Sequence, residues 1–487
     1  MRVNPDGPVP CDLALFGGSA GFEDQMNGRP FTGKIGAQLW SEMKRCTGLS
    51  RRAFYVSNIV KDGCGKSGTP KPRDIAAALP EFLDELEQVQ PRLVVTAGTV
   101  ATRVLLGTDA QIAAVHGIPH EAEVCGQQFI CYPIYQPSLN KSYMALLGYD
   151  LGRLAALLRG DLRPWQEGLP ARTSWLSRDA VQRCEALEPQ IVALDTEGWP
   201  AQPWGLSFSP NGIDGFVIKA TDRAGLDWFR GWLAQASARA SVISKETRPV
   251  ALHNGIHDLP VLRSLGVLID AYEDTQVMAY HDILRTGSGV LEAESQNLGT
   301  LAYRECGMRL GELSEIPGVD FAAKTIPYTD AVMQYAGADP VATWRLFNIY
   351  EQRGLLNYQP YQIDMGQVFL VEHMMRAGIP FDVDETTDYY ADVCDKLSTA
   401  NIDLKAQAAR FGNRDFNPGS HPQVREIITR KIGLRIRKRT KGGLASTNEK
   451  ALADHKDNKF VKRLQDRREL DKLRGTYLVP LLQELVV

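Results

Sequence analysis

Short apolar runs recur through the first 350 residues of the chain and then stop. Residues 13–16, 93–97 and 191–194 are examples, and helical stretches such as residues 75–89 lie between such runs. Buried strands that alternate with helices are typical of α/β folds with parallel strands. After residue 358 the strand pattern is absent and helical periodicity continues to the end. The sequence therefore predicts α/β architecture followed by a helical region.

The chain is too long for one ordinary core. Its 487 residues indicate about three domains at roughly 150 residues each. Residues 160–168, which include Pro164 and Trp165, interrupt the α/β pattern and read as a linker. We predict an α/β domain at residues 1–165, a second α/β domain with a mixed sheet at residues 166–352, and an all-helical region at residues 353–487.

Composition narrows the class of protein. Hydrophobic residues make up 44% and charged residues 23%, which is typical of a folded chain. Because the net charge is −3, any nucleic-acid contact must come from local basic patches. The eight cysteines show no paired metal-binding spacing, and no long apolar segment or signal sequence is present. We predict a soluble cytoplasmic protein with reduced thiols and no membrane partner.

Four carboxylates and one tyrosine stand at positions that favour a shared site. Asp195 and Glu197 follow an apolar run, and strand alternation points both carboxylates to the same face. Asp258 follows another apolar run, at a predicted strand-to-helix junction. Tyr335 and Asp339 are four residues apart in a helical stretch, so they share one helix face. Taken singly, each also fits a solvated strand edge, a helix cap or a surface pair.

Grouped carboxylates require cations to offset their mutual repulsion. Oxygen ligands select Mg²⁺ or Mn²⁺ over Zn²⁺, and two such ions are the usual apparatus for phosphodiester hydrolysis without a covalent intermediate. The sequence therefore predicts a two-ion site.

The ordered set Asp-x-Glu, Asn-x-x-x-Asp and Tyr-x-x-x-Asp resembles the three motifs of the DEDD proofreading exonucleases, in the tyrosine-containing subgroup. The resemblance implies a ribonuclease H-like domain in which Asp195, Glu197 and Asp339 hold one ion and Asp258 with Asp195 serves the second. It also implies that Tyr335 and Glu197 orient the attacking water. Further matches give a supporting set: Asn254, Asp274, Thr275 and Asn297. An RNase D-like exoribonuclease would share these motifs.

The helical region resembles the thumb of family A DNA polymerases. Residues 365–382 are similar to the helix that links exonuclease and polymerase, and the motifs that follow match the thumb in order. A basic loop at residues 435–441 suits contact with duplex phosphates. The resemblance and this loop predict the following DNA-binding residues: Asn417, Ser420, Arg437, Lys438, Arg439, Lys441, Ser446, Thr447, Asn448, Lys472 and Arg474.

No counterpart of a polymerase palm or fingers is present before the chain ends at Val487. We therefore expect either a fragment or a split polymerase whose palm and fingers lie on a separate chain. The domain order is similar to that of phage polymerases, which would place the protein in the cytoplasm of a bacterial host.

The N-terminal region resembles uracil-DNA glycosylases of the iron–sulfur subgroup. Residues 17–36 match their first motif and residues 58–61 their second. Gly18 replaces the acidic residue of the family's Gly-Glu-x-Pro-Gly motif, and Gln136 replaces the histidine of its His-Pro motif, while Asn58 is retained. The paired cysteines are missing, so no iron–sulfur cluster is expected. The resemblance predicts an inactive domain that binds DNA or docks partners.

The leading hypothesis is a 3′→5′ proofreading exonuclease that acts on single-stranded 3′ ends and primer–template DNA. Two alternatives remain. One is a non-catalytic subunit that clamps DNA for a separate polymerase chain, and the other is a residual uracil-DNA glycosylase.

Overall fold

The computed structural model describes residues 2–63, 69–107, 110–138, 140–243, 249–286, 296–378, 380–440 and 443–484. The chain divides into two compact units, Met1–Met374 and Met375–Val487. The predicted boundaries at residues 165 and 352 stay predictions. Within the described residues, every helix is too short or too polar to cross a membrane.

The first unit opens with a five-stranded sheet. Its strands stand in the order β2-β1-β3-β5-β4 and are parallel except for β4, which pairs antiparallel with β5. The strands are β1 (Leu13–Ser19), β2 (Tyr55–Val60), β3 (Leu93–Ala97), β4 (His120–Val124) and β5 (Gln127–Ile134). The helices are α1 (Phe22–Asn27), α2 (Lys34–Thr47), α3 (Pro72–Val89), α4 (Thr99–Leu106), α5 (Ile112–Val115) and α6 (Lys141–Leu158).

Strand β1 shows why this sheet is predictable. Leu15 packs into the apolar core on one face, while Ala14 and Phe16 pack into the core on the other. All three side chains are fully buried. A continuous apolar run is what a parallel strand covered by helices on both faces requires.

A six-stranded mixed sheet follows in the same unit, in the order β11-β10-β7-β8-β9-β6. Strands β7, β8 and β9 form an antiparallel meander, and the remaining pairings are parallel. The strands are β6 (Arg172–Trp175), β7 (Val192–Trp199), β8 (Gln202–Ser209), β9 (Asp214–Lys219), β10 (Val250–Leu252) and β11 (Glu273–Asp274). The helices are α7 (Arg178–Glu185), α8 (Arg223–Ile243), α9 (Gly255–Ser264), α10 (Thr275–Thr286), α11 (Leu298–Cys306) and α12 (Asp330–Gln352), and α13 (Gln359–Ala377) begins in this unit and continues past its last residue, Met374.

Helix α12 lies very close to this sheet. A Cβ atom on Gly215 of β9 would stand 1.9 Å from the carbonyl oxygen of Gly337 on α12. The missing side chain at position 215 therefore permits the approach of helix and strand.

In the described part of the second unit, the regular secondary structure is helical apart from one isolated bridge, Arg439 to Ala445. Its α-helices are α14 (Val383–Ala409), α15 (His421–Glu426), α16 (Glu449–Leu452), α17 (Lys459–Lys472) and α18 (Val479–Glu484). Leu404, Phe416 and Leu464 belong to a buried apolar cluster that includes residues of α14, α15, α16 and α17. An ion pair between Arg463 and Asp403 links α17 to α14.

Candidate metal centre

Strand β7 places two carboxylates at the edge of the apolar core. Asp195 is half-buried and Glu197 is 9% exposed, and the residues before them on β7 are fully buried. The strand pairing shifts register between Glu197 and Gly198, where the backbone has a φ of +99°. A β-bulge at this point redirects the strand just after its second carboxylate.

Helix α12 brings the third carboxylate to the same place. Asp339 is 7% exposed, and the Tyr335 hydroxyl one turn earlier bonds to it. The helix-face pairing expected from the sequence is therefore present, and burial of Asp339 distinguishes it from a surface pair.

The carboxylates of Asp195, Glu197 and Asp339 form one group. Each offers an oxygen atom, and the three atoms lie within 4.8 Å of one another. Because Mg²⁺ takes oxygen ligands at about 2.0–2.1 Å and Ca²⁺ at about 2.3–2.6 Å, ligands of one such ion stand no more than about 5 Å apart. The donor type and the spacing both fit a hard divalent cation.

Asp258 lies beside this group and outside the three-carboxylate set. It is 3% exposed, and its Oδ1 accepts hydrogen bonds from the backbone amide and hydroxyl of Thr196 at 3.2 and 2.7 Å. Its charge also acts on Asp195 and Glu197. The structure thus brings all four predicted carboxylates to one neighbourhood and groups three of them as ligands of one ion.

Burial makes this neighbourhood electrostatically unfavourable without cations. Burial first, and then the neighbouring carboxylates, raise the pKa of Asp195 and of Glu197 well above the usual values. Burial also raises the pKa of Asp258 and of Asp339 to about 7, although hydrogen bonds from Thr196 and Tyr335 oppose the rise. A bound cation would favour the ionised form of all four groups.

Asp274 supports the start of the helix that carries Asp258. Its carboxylate accepts from the amides of Asn254 and Gly255 at 3.1 and 2.8 Å. Asn254 has a φ of +66°, so these bonds hold the turn from β10 into α9 in a left-handed conformation. Thr275 donates to the carbonyl of Leu252 at 3.1 Å, at the end of the same strand.

Asn297 has a structural role in this arrangement. Its side chain accepts from the amide of Thr300 at 2.7 Å and caps α11. The residue before it, Gln296, bonds through its carbonyl to His253 Nε2 at 3.0 Å, and His253 Nδ1 lies 2.8 Å from the hydroxyl of Thr275.

Sequence reasoning missed Thr196 and His253. A threonine between two acidic residues is indistinguishable from any β-branched strand residue in the sequence. The contact of Thr196 with Asp258 depends on how α9 packs on β7.

The predicted DNA-binding residues of the second unit fall into two groups. Arg437, Lys438, Arg439 and Lys472 are exposed, Arg474 is half-buried and pairs with Asp471, and Lys441 lies outside the described residues. Two of the polar residues instead bond to protein groups: the side-chain oxygen of Asn417 accepts from Gly419, and Asn448 caps α16, whereas Ser420 precedes α15 without a side-chain capping bond.

Ser446 and Thr447 are buried, at 7% and 4% exposure, and Thr447 bonds to His421 at 2.8 Å. These two side chains are therefore placed to stabilise the unit.

The predicted degraded glycosylase site lies at the carboxyl ends of the first sheet. Gly18 stands at the end of β1, Asn58 near the end of β2, and Gln136 just after β5. Asn58 is 2% exposed, and its Nδ2 has no hydrogen-bond partner among the described residues. A Cβ on Gly98 would stand 2.3 Å from Gln136 Oε1, so this glutamine closely approaches the turn after β3.

Two family models match separate parts of the chain. The uracil DNA glycosylase superfamily matches residues 5–145, and DNA polymerase family A matches residues 387–486. Neither match covers β7 or α12, which carry the three-carboxylate group.

Individual proteins match stretches of different length. A type-4 uracil-DNA glycosylase of Saccharolobus solfataricus is 24% identical over 140 residues, which cover 28% of this chain and 65% of that protein. The thermostable DNA polymerase I of Thermus aquaticus is 26% identical over 344 residues, which cover 66% of this chain and 37% of that protein.

Among solved structures, the POL domain of Pol1 from M. smegmatis, in complex with DNA primer-template and dNTP, matches with a TM-score of 0.45 and 18% identity. That match covers 64% of this chain and 50% of the other. The chain thus spans less than two thirds of each of these three proteins. It carries a uracil-DNA-glycosylase-like domain at its N-terminus and a region related to family A DNA polymerases toward its C-terminus.

Proposed function

We propose that this chain is a Mg²⁺- or Mn²⁺-dependent 3′→5′ DNA exonuclease of the tyrosine-containing DEDD type, acting in proofreading beside a family A polymerase. One observation carries the proposal: oxygen atoms of Asp195, Glu197 and Asp339 lie within 4.8 Å of one another on a buried strand and helix. The mixed sheet that carries Asp195 and Glu197 fits a ribonuclease H-like domain.

Each side chain has a distinct role in this proposal. Asp195, Glu197 and Asp339 would hold one divalent cation, and Asp258 with Asp195 the second. When bound, two such ions activate a water molecule and stabilise the leaving 3′ oxygen. Tyr335, which bonds to Asp339, is placed with Glu197 to orient that water.

DNA is favoured over RNA as the substrate because residues 387–486 match family A DNA polymerases. We propose that this helical region acts as a thumb, with Arg437, Lys438 and Arg439 on duplex phosphates. Synthesis would then need a palm and fingers from a further segment or a separate polypeptide.

The experiment is digestion of a 5′-labelled single strand by the purified chain with Mg²⁺ or Mn²⁺. Stepwise shortening from the 3′ end is expected, and it should be lost in EDTA and in Asp195→Ala. Asp179→Ala is a matched control, because Asp179 is exposed in the first turn of α7 and does not belong to the three-carboxylate group. If no shortening occurs under any condition, the non-catalytic DNA-clamping subunit takes the place of this proposal.

For the N-terminal domain we propose DNA binding without base excision. Gly18 offers no general base and Gln136 no cationic donor, whereas Asn58 keeps a buried amide without a described partner. A uracil-containing duplex should therefore bind without forming alkali-labile abasic sites. Alkali-dependent strand cleavage that is lost in Asn58→Ala would instead support a residual glycosylase.

A further inference from the structure

A second concentration of charge in the first unit surrounds a cavity of about 380 Å³. Residues of α5 and α6 form one wall, and residues of α10, α11 and α12 form the other. The cavity therefore lies where the glycosylase-like region meets the region that carries the metal ligands. Four arginines line it: Arg153, Arg285, Arg304 and Arg353.

Two carboxylates, Asp282 and Glu305, also line the cavity, and both hold Arg353 in place. Arg353 donates to Asp282 Oδ2 and to Glu305 Oε2, each at 2.6 Å. Arg285 reaches the other oxygen of Asp282 at 3.3 Å. The carboxylates are thus engaged at one end of the cavity.

Backbone carbonyls and a tyrosine hydroxyl accept hydrogen bonds from the other two guanidiniums. Arg153 donates to the carbonyl of Gly117 at 2.7 Å, and Arg304 donates to the carbonyl of His116 at 3.1 Å and to the Tyr149 hydroxyl at 3.2 Å. The carbonyl of Gly117 fixes the Arg153 guanidinium without cancelling its charge. Among the described lining residues, guanidiniums outnumber carboxylates two to one, so the cavity favours an anion.

The cavity is separate from the metal centre. Arg353 follows the last residue of α12, and Asp339 stands on the same helix. At 1.5 Å per residue, the two are about 20 Å apart along the helix axis. One phosphate cannot occupy both places, although one strand of several nucleotides can reach both.

We infer that this arginine-lined cavity binds phosphate groups of a single-stranded DNA backbone and forms a second anchor for the strand whose 3′ end is hydrolysed. The inference rests on the proposed exonuclease function for the identity of the strand. Arginine forks match phosphate oxygens in charge and geometry, and held guanidiniums lose little freedom on binding. Because both walls are needed, the glycosylase-like region contributes directly to substrate binding.

The test is fluorescence anisotropy of a labelled twenty-nucleotide oligothymidine with the full chain in EDTA, where no hydrolysis occurs. The double variant Arg153→Gln/Arg285→Gln should bind roughly tenfold more weakly, with a salt slope reduced by about 1.4 for two lost single-strand phosphate contacts. Arg159→Gln is the matched control, because Arg159 follows α6, is exposed and pairs with Asp161 outside the cavity.

Two further measurements test whether the lost affinity reflects contacts with backbone phosphates. Arg153→Lys/Arg285→Lys should bind more tightly than the double glutamine variant, because lysine restores the positive charge although it lacks the two-pronged guanidinium. If the glutamine variant is weak because it fails to fold, the lysine variant should show no such recovery. Thymidine monophosphate should not displace the oligonucleotide at micromolar concentration. Displacement, or equal losses in the double variant and in Arg159→Gln, would overturn the backbone assignment.

A kinetic measurement distinguishes failure of this inference from failure of the proposed function. In Mg²⁺, the double variant should lose roughly tenfold more kcat/KM on the twenty-nucleotide strand than on a dinucleotide, which has a single phosphodiester. Equal losses of kcat/KM on the two substrates would contradict the proposal that the cavity is a second anchor. If every form, including the unmodified chain, hydrolyses neither substrate, the exonuclease proposal fails while the anisotropy comparison still decides whether the cavity binds DNA.

Discussion

Thr196 donates both its backbone amide and its hydroxyl to one oxygen of Asp258, at 3.2 and 2.7 Å. Because side chains alternate along a strand, Thr196 points away from the face that presents Asp195 and Glu197. One tripeptide on β7 therefore supplies two metal-ligand candidates and also fixes the first turn of α9.

We expect Thr196→Val to weaken the metal centre while it keeps the β-branched shape. In the intact protein, the hydrogen bond from the Thr196 hydroxyl lowers the pKa of Asp258. The loss of this bond in the variant should therefore raise that pKa above about 7. Mn²⁺ affinity at neutral pH, measured by calorimetry, should fall roughly three- to tenfold. Thr343→Val is the control, because its buried hydroxyl on α12 has no described partner. Equal effects in the two variants would contradict the role of Thr196.

Tyr335→Phe removes the hydroxyl that bonds to Asp339. If this hydroxyl orients the attacking water, kcat should fall roughly ten- to a hundredfold while KM changes little. Steady-state digestion of a labelled strand over a range of concentrations measures both constants. Tyr389→Phe, an exposed position on α14, should leave the rate unchanged. A rise in KM alone would assign Tyr335 to substrate binding instead.

Gly215→Ala should separate Asp339 from its partners. The new Cβ would lie 1.9 Å from the Gly337 carbonyl, so α12 must move away from β9. Overpacking of this kind costs about 1–3 kcal/mol of unfolding free energy, and Mn²⁺ binding should weaken in parallel. Gly231→Ala on α8 meets nothing within 4 Å and should be neutral or stabilising. Thermal melts with and without Mn²⁺ test both variants.

The buried carboxylates predict an unusual dependence of stability on pH. The pKa of Asp258 and of Asp339 rises from 3.8 to about 7, so both folded groups favour the protonated form. Their stabilisation is present below about pH 4 and is lost as the pH rises through 7. In EDTA, Tm should therefore fall over this window, and Mn²⁺ should raise Tm more at pH 8 than at pH 6. Equal Mn²⁺ shifts at both values would contradict this linkage.

His120 predicts a loss of stability in acid. Burial lowers its pKa from 6.5 to about 4, and the side chain is 6% exposed. Its contribution is present above pH 6.5 and is lost as the pH falls toward 4, with a full extent of about 3 kcal/mol. Denaturant melts of His120→Gln should show a weaker pH dependence in this window, whereas the exposed His257→Gln should resemble the unmodified chain.

The sequence by itself determined the local features. The apolar runs predicted β1, β3 and β7 because strands buried on both faces must be apolar throughout. Strand alternation predicted the shared face of Asp195 and Glu197, and helical spacing predicted the pairing of Tyr335 with Asp339. These relations follow from backbone periodicity, so they can be read from neighbouring residues.

Only the tertiary structure decided which distant groups meet. Asp339 reaches β7 because glycine at position 215 lets α12 approach the sheet, and Asp258 is tied to Thr196 by the packing of α9. Ser446 and Thr447 are likewise buried in the folded unit, although the sequence predicted both as DNA-binding residues. Packing between segments far apart in the chain sets these contacts, and it also brings Arg153 and Arg353 to one cavity. No local sequence pattern encodes this packing.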